Sequence, residues 1–155
     1  MKFSTKEDIE APIEYVFEVL SDFESFERSA MRRGAEIERR DGLSKPGNGM
    51  LWQVAFQLRG KPRQMALEMV RFDPPNGMEF YSKSAGLDGV MVLDLVAMSR
   101  KRTRLSVDLE LKPQSLAARL MVQSLKLARG NLNKRYHLKV AEYAKDMEDR
   151  YRRMA

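Results

Sequence analysis

The sequence predicts an α+β fold in which one antiparallel sheet is covered by a long C-terminal helix. Apolar residues recur at helical spacing from Pro113 to the C-terminus. Apolar and polar residues alternate with a period of two through much of residues 35–111, which is typical of half-buried strands. Near the N-terminus, Ala11-Pro12 separates a short alternating stretch from a helical pattern. The predicted order is therefore strand, two short helices, six strands and a long helix.

The C-terminal helix is predicted to begin at Pro113, because the fixed φ of proline suits a first helical turn. No proline follows, and Gly130 is the only later glycine. Two sets of apolar residues share the helical period. The sets are Leu116, Leu120, Leu127, Leu138 and Ala141, and Ala117, Met121, Leu125, Ala128, Leu132, Tyr136, Val140, Tyr143 and Met147. At about 1.5 Å per residue the helix would run roughly 50 Å, so a concave surface must receive it.

The N-terminal region is predicted to hold one strand and two short helices. Residues 2–10 alternate weakly, and Pro12 is placed to open the first helix. Ser21 or Asp22 is the expected cap of a second helix that ends at Gly34. The apolar residues expected to pack inward are Ile13, Val16, Phe17, Leu20, Phe23 and Phe26.

Five segments rich in turn formers separate the central strands. They are residues 41–49, 59–62, 73–77, 86–89 and 99–102. Turns this short predict an antiparallel meander with one apolar face. The longest segment, 41–49, is expected to rim the mouth of any volume enclosed between the sheet and the long helix.

Residues 9–26 resemble the SRPBCC superfamily. The matching features are a strand that ends in an apolar residue, Ala11-Pro12, a helix carrying Val16-Phe17, and then Asp22-Phe23. The superfamily takes in START-like lipid carriers, Bet v 1-like proteins, polyketide cyclases/aromatases and coenzyme Q-binding proteins. The resemblance implies one helix-grip domain over residues 1–155, with a seven-stranded antiparallel sheet, two short helices after strand 1, and a long C-terminal helix packed on the concave face. It also implies a hydrophobic cavity, but little about chemistry, since fold does not fix function.

The candidate ligand-binding residues are those predicted to point between the sheet and the long helix. They are Trp52, Val54, Phe56, Met65, Leu67, Met69, Phe80, Ser82, Met91, Leu93, Leu120 and Ser124. The apolar residues of this set either line a cavity or fill a packed core. The 11 methionines of the chain are compatible with both, because the methionine side chain adapts to irregular volumes. Ser82 and Ser124 are able to orient a carbonyl or hydroxyl of an apolar ligand. Alternatively Ser82 lies at a wet strand end and Ser124 bonds back to its own helix.

No catalytic constellation is visible, so we assign no catalytic residue and expect no cofactor. His137 is the only histidine and there is no cysteine, which leaves no histidine-rich or thiolate metal site and no Cys/His pair. His137 lies among basic residues, as expected on a surface. Asp94 interrupts an apolar run and is either an outward strand residue or a buried carboxylate suited to acid–base work.

The formal net charge of +6 and the pI near 9.6 admit anionic partners. The basic residues are scattered and no nucleic-acid module is recognisable, so no specific nucleic-acid partner is expected. The basic C-terminal helix is suited to peripheral contact with an anionic membrane. The N-terminus lacks the apolar stretch of a signal peptide, and the cytoplasm is the expected location.

These observations leave three hypotheses. The first is binding, by carriage or sequestration, of a hydrophobic small molecule such as a lipid, a quinone or a polyketide-like aromatic. The second is a cofactor-free polyketide cyclase or dehydratase, which predicts that Ser82, Ser84 or Asp94 faces the cavity. The third is a basic interaction module with a packed interior.

Overall fold

All strands belong to one seven-stranded antiparallel sheet. A computed structural model describes residues 1–154. The strands are β1 (Lys2–Ile9), β2 (Glu36–Arg39), β3 (Leu51–Leu58), β4 (Lys61–Asp73), β5 (Gly77–Ser84), β6 (Leu87–Ser99) and β7 (Arg102–Pro113). Their order across the sheet is β1-β7-β6-β5-β4-β3-β2. The predicted meander is confirmed, with β1 added beside the last strand.

Two short helices follow β1, as predicted. They are α1 (Ile13–Leu20) and α2 (Phe23–Arg32). Asp22 is the cap of α2, because its carboxylate accepts a hydrogen bond from the Ser25 N–H at 3.3 Å. The buried face of α1 carries Val16, Phe17 and Leu20, so the predicted inward face is confirmed there.

The C-terminal helix differs from the prediction in its start and in its continuity. It consists of α3 (Leu116–Leu127) and α4 (Arg129–Met154), separated at Ala128. Pro113 ends β7 opposite Leu87 and does not open the helix. A proline is tolerated at a strand end, while Ser115 is a better helix cap because its hydroxyl accepts the Ala118 N–H at 3.1 Å.

The turn predicted over residues 86–89 is shorter in the structure, because Gly89 belongs to β6. A Cβ placed on residue 89 would lie 2.6 Å from the Ser82 hydroxyl oxygen on the neighbouring strand. Glycine therefore leaves room for the Ser82 hydroxyl within the sheet, at a position where the sequence alone suggested a turn.

α4 lies along β1 and runs in the same direction. The Tyr136 hydroxyl donates to the Val107 carbonyl oxygen at 2.7 Å. Further along, the Glu10 N–H donates to the Glu148 carboxylate at 2.8 Å. Between these contacts α4 buries Ala144 and Met147 against the concave face of the sheet.

Only the α4 members of one predicted apolar set pack inward, and the buried residues of α3, Ala118 and Val122, belong to neither set. Tyr136, Val140, Tyr143 and Met147 pack in or against the core. The other set contains the most exposed leucines of the chain: Leu116, Leu120, Leu127 and Leu138, with exposed fractions of 74%, 59%, 92% and 57%. The predicted apolar face is therefore confirmed on α4, but on α3 the period did not identify the buried face.

Met147 tests how strongly α4 stabilises the fold. Its side chain is fully buried, so Met147→Ala should lower the free energy of unfolding by about 2–5 kcal/mol through lost contacts and a residual cavity. Urea denaturation measures this. Met154→Ala on the same helix is the control, because Met154 is 70% exposed and its loss should stay within about 0.5 kcal/mol. Equal effects in the two variants would contradict the described position of α4.

Candidate functional site: a cavity between the sheet and two helices

A cavity of about 980 Å³ lies between α2, α4 and the concave face of the sheet. The sheet contributes mostly apolar side chains from β2 to β7. These are Ile37, Trp52, Val54, Phe56, Met65, Leu67, Phe80, Met91, Leu93, Leu105 and Val107. α1 and α2 add Leu20, Phe23, Phe26 and Ala30, and α4 adds Val140. The space is an apolar container whose inner end is closed by the hydrophobic core.

Aromatic rings form the boundary between cavity and core. The Phe23 ring meets the Trp52 ring edge-on at 5.6 Å between centroids, and the Phe80 ring at 6.4 Å. All three side chains are less than a tenth exposed. Such packing fixes ring orientations through edge-to-face contacts. The innermost wall is therefore rigid and well defined.

Trp52 is held by polar contacts as well as by packing. Its indole N–H donates to the Glu27 carboxylate of α2 at 2.8 Å, which ties α2 to β3 across the cavity wall. The Arg39 guanidinium lies 5.6 Å from the centre of the indole ring. A cation over an indole face adds attraction to the apolar contact.

Asp41 anchors Arg39 and the start of the 41–49 loop. Its carboxylate accepts from the Arg39 Nε at 2.8 Å, and from the N–H groups of Leu51 and Leu43 at 2.8 and 3.0 Å. The Arg39 guanidinium, and next the Leu51 N–H, hold the pKa of the Asp41 carboxyl well below its usual range. The loop is thus fixed where it joins β3, beside Trp52.

On the α4 side, the wall is formed by Tyr143 beside Phe26 of α2, with 5.8 Å between the ring centroids. Burial raises the pKa of Tyr143 to about 12. The charged groups that influence this phenol, Arg150, Asp146 and Asp22, lie outside the cavity lining, so Tyr143 is a neutral aromatic member of the wall.

The charged residues of the lining are mostly basic. Arg33 follows α2 and Lys139 lies on α4, and neither forms an ion pair within residues 1–154. The one lining carboxylate belongs to Glu27, which is engaged by Trp52. The remaining polar contributors include Ser29 and Gln57. The site thus combines an apolar body with two free cations.

Most of the sequence-predicted site residues meet at this cavity. Its lining includes Trp52, Val54, Phe56, Met65, Leu67, Phe80, Met91 and Leu93. Met69 shares their face but is fully buried in the core. Ser82 lies outside the lining, with its hydroxyl against Gly89. Whether the eight lining residues bind a ligand remains a prediction.

The placement of Leu120 and Ser124 at the cavity was wrong. Both are exposed on α3, and Leu120 is 59% exposed. The reason is the break at Ala128 together with a different inward face, on which Ala118 and Val122 are the buried residues of α3.

The residues considered for catalysis lie elsewhere. Of the two predicted positions for Asp94, the structure shows the outward one. Its carboxylate is half exposed and pairs with the Arg71 Nη2 at 3.1 Å on the convex face of the sheet. The Ser84 hydroxyl donates to the Leu87 carbonyl oxygen at 2.8 Å within the β5–β6 turn. His137 is exposed, as predicted, although its Nδ1 lies 3.0 Å from the hydroxyl oxygen of buried Thr5.

The sequence prediction missed the helix side of the cavity. Glu27, Ala30 and Arg33 continue the helical spacing of Phe23 and Phe26 along α2, and that spacing was the available signal. Within residues 1–154, no cluster of histidine and acidic side chains is arranged to hold a metal ion. None of the helices in that range has the length and apolarity needed to cross a membrane.

Comparisons with solved structures identify the fold. The aromatase/cyclase Zhui from Streptomyces sp. R1128 is 13% identical, with a TM-score of 0.61 over 86% of this chain and 88% of that one. Ara h 8.0201 is 15% identical, with a TM-score of 0.59 over 86% and 93%. A START superfamily protein from Mycobacterium smegmatis is 15% identical, with a TM-score of 0.55 over 86% and 95%.

No family model matches the sequence. No curated protein matches it either. At these identities the structural likeness shows the fold alone, and that fold is the helix-grip arrangement predicted from the sequence.

Asp41 gives a pH-dependent test of the anchor that holds Arg39 beside Trp52; contrary to the expectation, none of residues 41–49 lines the cavity. A folded-state pKa below the unfolded value of about 3.9 stabilises the fold above that pH, and the contribution disappears as pH falls toward the folded-state pKa. Asp41→Asn should therefore lower the melting temperature at neutral pH, and the difference from wild type should shrink below about pH 4. Thermal unfolding followed by circular dichroism measures both. The exposed Asp73→Asn is the control, and a pH-independent deficit in Asp41→Asn would contradict the assignment.

Proposed function

We propose that this protein is a single-domain binding protein, residues 1–155, that carries or sequesters a hydrophobic small molecule in the cavity. The observation that carries the proposal is an apolar cavity of about 980 Å³, near the upper end of the range of roughly 300–1,000 Å³ typical of small-molecule sites. A lipid, a quinone or a polyketide-like aromatic matches this chemistry. The cytoplasm is the expected compartment, and contact with an anionic membrane during cargo exchange belongs to the same proposal.

The two free cations refine the class of ligand. Arg33 follows α2 and Lys139 lies on α4, so they approach the cavity from two sides. A ligand with an apolar body and an anionic or strongly polar head would bury the body against the sheet and pair its head with these groups. Tyr143 adds a neutral aromatic ring to the same lining. An anionic amphiphile is therefore the best match to the site.

The alternative function, a cofactor-free cyclase or dehydratase, is less well supported. It required Ser82, Ser84 or Asp94 at the cavity, and none of the three is among the lining residues. The Ser84 hydroxyl is used by the adjacent turn, and Asp94 is paired on the opposite face of the sheet. Binding is the function that the position of the polar groups favours.

Filling the cavity should weaken binding. A dansyl-labelled fatty acid, excited outside the tryptophan absorption band, is the probe. Val54→Trp adds bulk to the cavity wall and should raise the dissociation constant by about tenfold, which corresponds to about 1.4 kcal/mol. The control is Val96→Trp, since Val96 is 54% exposed and lies outside the lining. Unchanged affinity in a folded Val54→Trp variant would rule out the cavity as the binding site.

The cations can be tested separately from the apolar wall. Arg33→Gln with Lys139→Gln should weaken binding of the dansyl fatty acid by about tenfold, while binding of its neutral amide should change little. Titration with both probes gives the comparison. Arg100→Gln with Lys101→Gln removes the same charge from the exposed β6–β7 turn and should leave both affinities unchanged. Equal losses for acid and amide would mean that the cations do not bind the head.

A further inference from the structure

α3 is apolar on two opposite sides. Its buried side contains Ala118 and Val122, which pack toward the rest of the domain. At about 100° per residue, Leu116, Leu120 and Leu127 lie within roughly 40° of one another on the other side of the helix. They are 74%, 59% and 92% exposed. Because the opposite side of α3 already packs against the domain, a row of exposed leucines indicates a surface that binds a partner outside the domain.

The net positive charge of the chain comes from the same region, because this region has basic residues but no acidic ones. The whole chain has 28 lysines and arginines against 22 acidic residues. Seven of the basic residues and none of the acidic ones fall in the basic segment, residues 112–139, so the remainder of the chain is close to neutral. Within residues 1–154, only Lys112 of these seven forms an ion pair. Segments of this kind bind anionic surfaces.

On α3 itself, charges and leucines are arranged for a lipid interface. Arg119 and Lys126 are seven residues apart, so they share one flank of the helix, roughly 60–120° from the leucine row. Both are exposed. Long basic side chains beside an apolar row allow the leucines to enter the acyl boundary while the cations stay at the headgroups. The helix has 12 residues, enough to lie in an interface and too few to span a bilayer.

We infer that α3 is the membrane-docking element, which binds the surface of an anionic bilayer through Leu116, Leu120 and Leu127 flanked by Arg119 and Lys126. The inference extends the proposed carrier function by assigning its membrane contact to one helix. Lys139, the last residue of the basic segment, also lines the cavity, so the docking region and the cargo site adjoin along the chain.

Two other occupants fit this surface less well. A second copy of the chain would bring basic segments together across a two-fold axis, with no acidic residue in either to neutralise them. Single-stranded nucleic acid would satisfy the cations, but it stacks its bases on aromatic side chains and does not use a row of exposed leucines. An anionic lipid surface satisfies both the charge and the leucines.

The test is co-sedimentation with vesicles, using protein freed of cargo by organic extraction or denaturant wash and refolding. The vesicles are phosphatidylcholine alone, or phosphatidylcholine with about one third phosphatidylglycerol. Wild type should bind the anionic vesicles, and binding should weaken as salt rises. Leu120→Gln with Leu127→Gln should lower the partition coefficient by about tenfold. The matched control, Val96→Gln with Met98→Gln, replaces two exposed apolar residues of β6 and should leave it unchanged.

A second pair separates charge from apolar contact. Arg119→Gln with Lys126→Gln should lower binding to the anionic vesicles at low salt by about 25-fold, since each of the two basic residues contributes about a fivefold factor. Arg100→Gln with Lys101→Gln carries the same charge change on the β6–β7 turn and should have little effect. The eight residues replaced in these four double variants are all exposed, so every variant should melt at the temperature of the wild type.

The inference would be overturned by several results. One is the absence of wild-type binding to anionic vesicles, and another is an equal loss in the α3 and β6 variants. Sedimentation showing a wild-type dimer that dissociates in the leucine variant, without vesicle binding, would assign the face to self-association. Binding to single-stranded RNA that survives the leucine replacements, again without vesicle binding, would assign the basic segment to nucleic-acid binding.

The two proposals fail independently. The vesicle assay needs no cargo, so its failure would not affect the proposed ligand-binding cavity. Failure of the dansyl titrations would likewise not affect the docking inference.

Discussion

The apolar concave face of the sheet can be removed from water only by a helix, and the placement of α4 determines the rest of the molecule. α4 lies along β1, where Tyr136 bonds to β7 and Glu148 bonds to the backbone at the end of β1. A single helix about 10 Å wide cannot cover seven strands. The half of the sheet that carries β2–β5 is therefore bounded by α2, and the space between α2 and α4 is left as the cavity.

Much of the fold was predictable because the alternation of polar and apolar residues is a direct consequence of one wet and one buried sheet face. Trp52, Val54 and Phe56 showed it clearly, and the structure places all three on the concave face of β3 at the cavity. Turn positions were less predictable. Gly89 was predicted to lie in a turn, but it belongs to β6 and pairs with Ser82 of β5. That pairing depends on the neighbouring strand and leaves no local signal in the sequence.

The strand side of the candidate site was predictable from the same alternation, whereas the helix side was not. A period of 3.6 shows that a helix has an apolar face, but α3 has two, and only tertiary contacts decide that Ala118 is buried while Leu120 is exposed. α2 posed the opposite problem, since Glu27 and Arg33 interrupt an apolar face and look like surface residues in the sequence. Their position at the cavity depends on the hydrogen bond to Trp52 and on the location of α4.

The charged groups that contact Trp52 have a spectroscopic consequence. The chain contains one tryptophan, and its indole N–H is bonded to a carboxylate while a guanidinium lies over the ring. Charges at fixed positions around an indole shift its emission maximum, and water entering or leaving the neighbouring cavity shifts it further. The intrinsic fluorescence of the protein is thus a label-free record of whether the cavity is wet, dry or filled, read from a single residue at its inner wall.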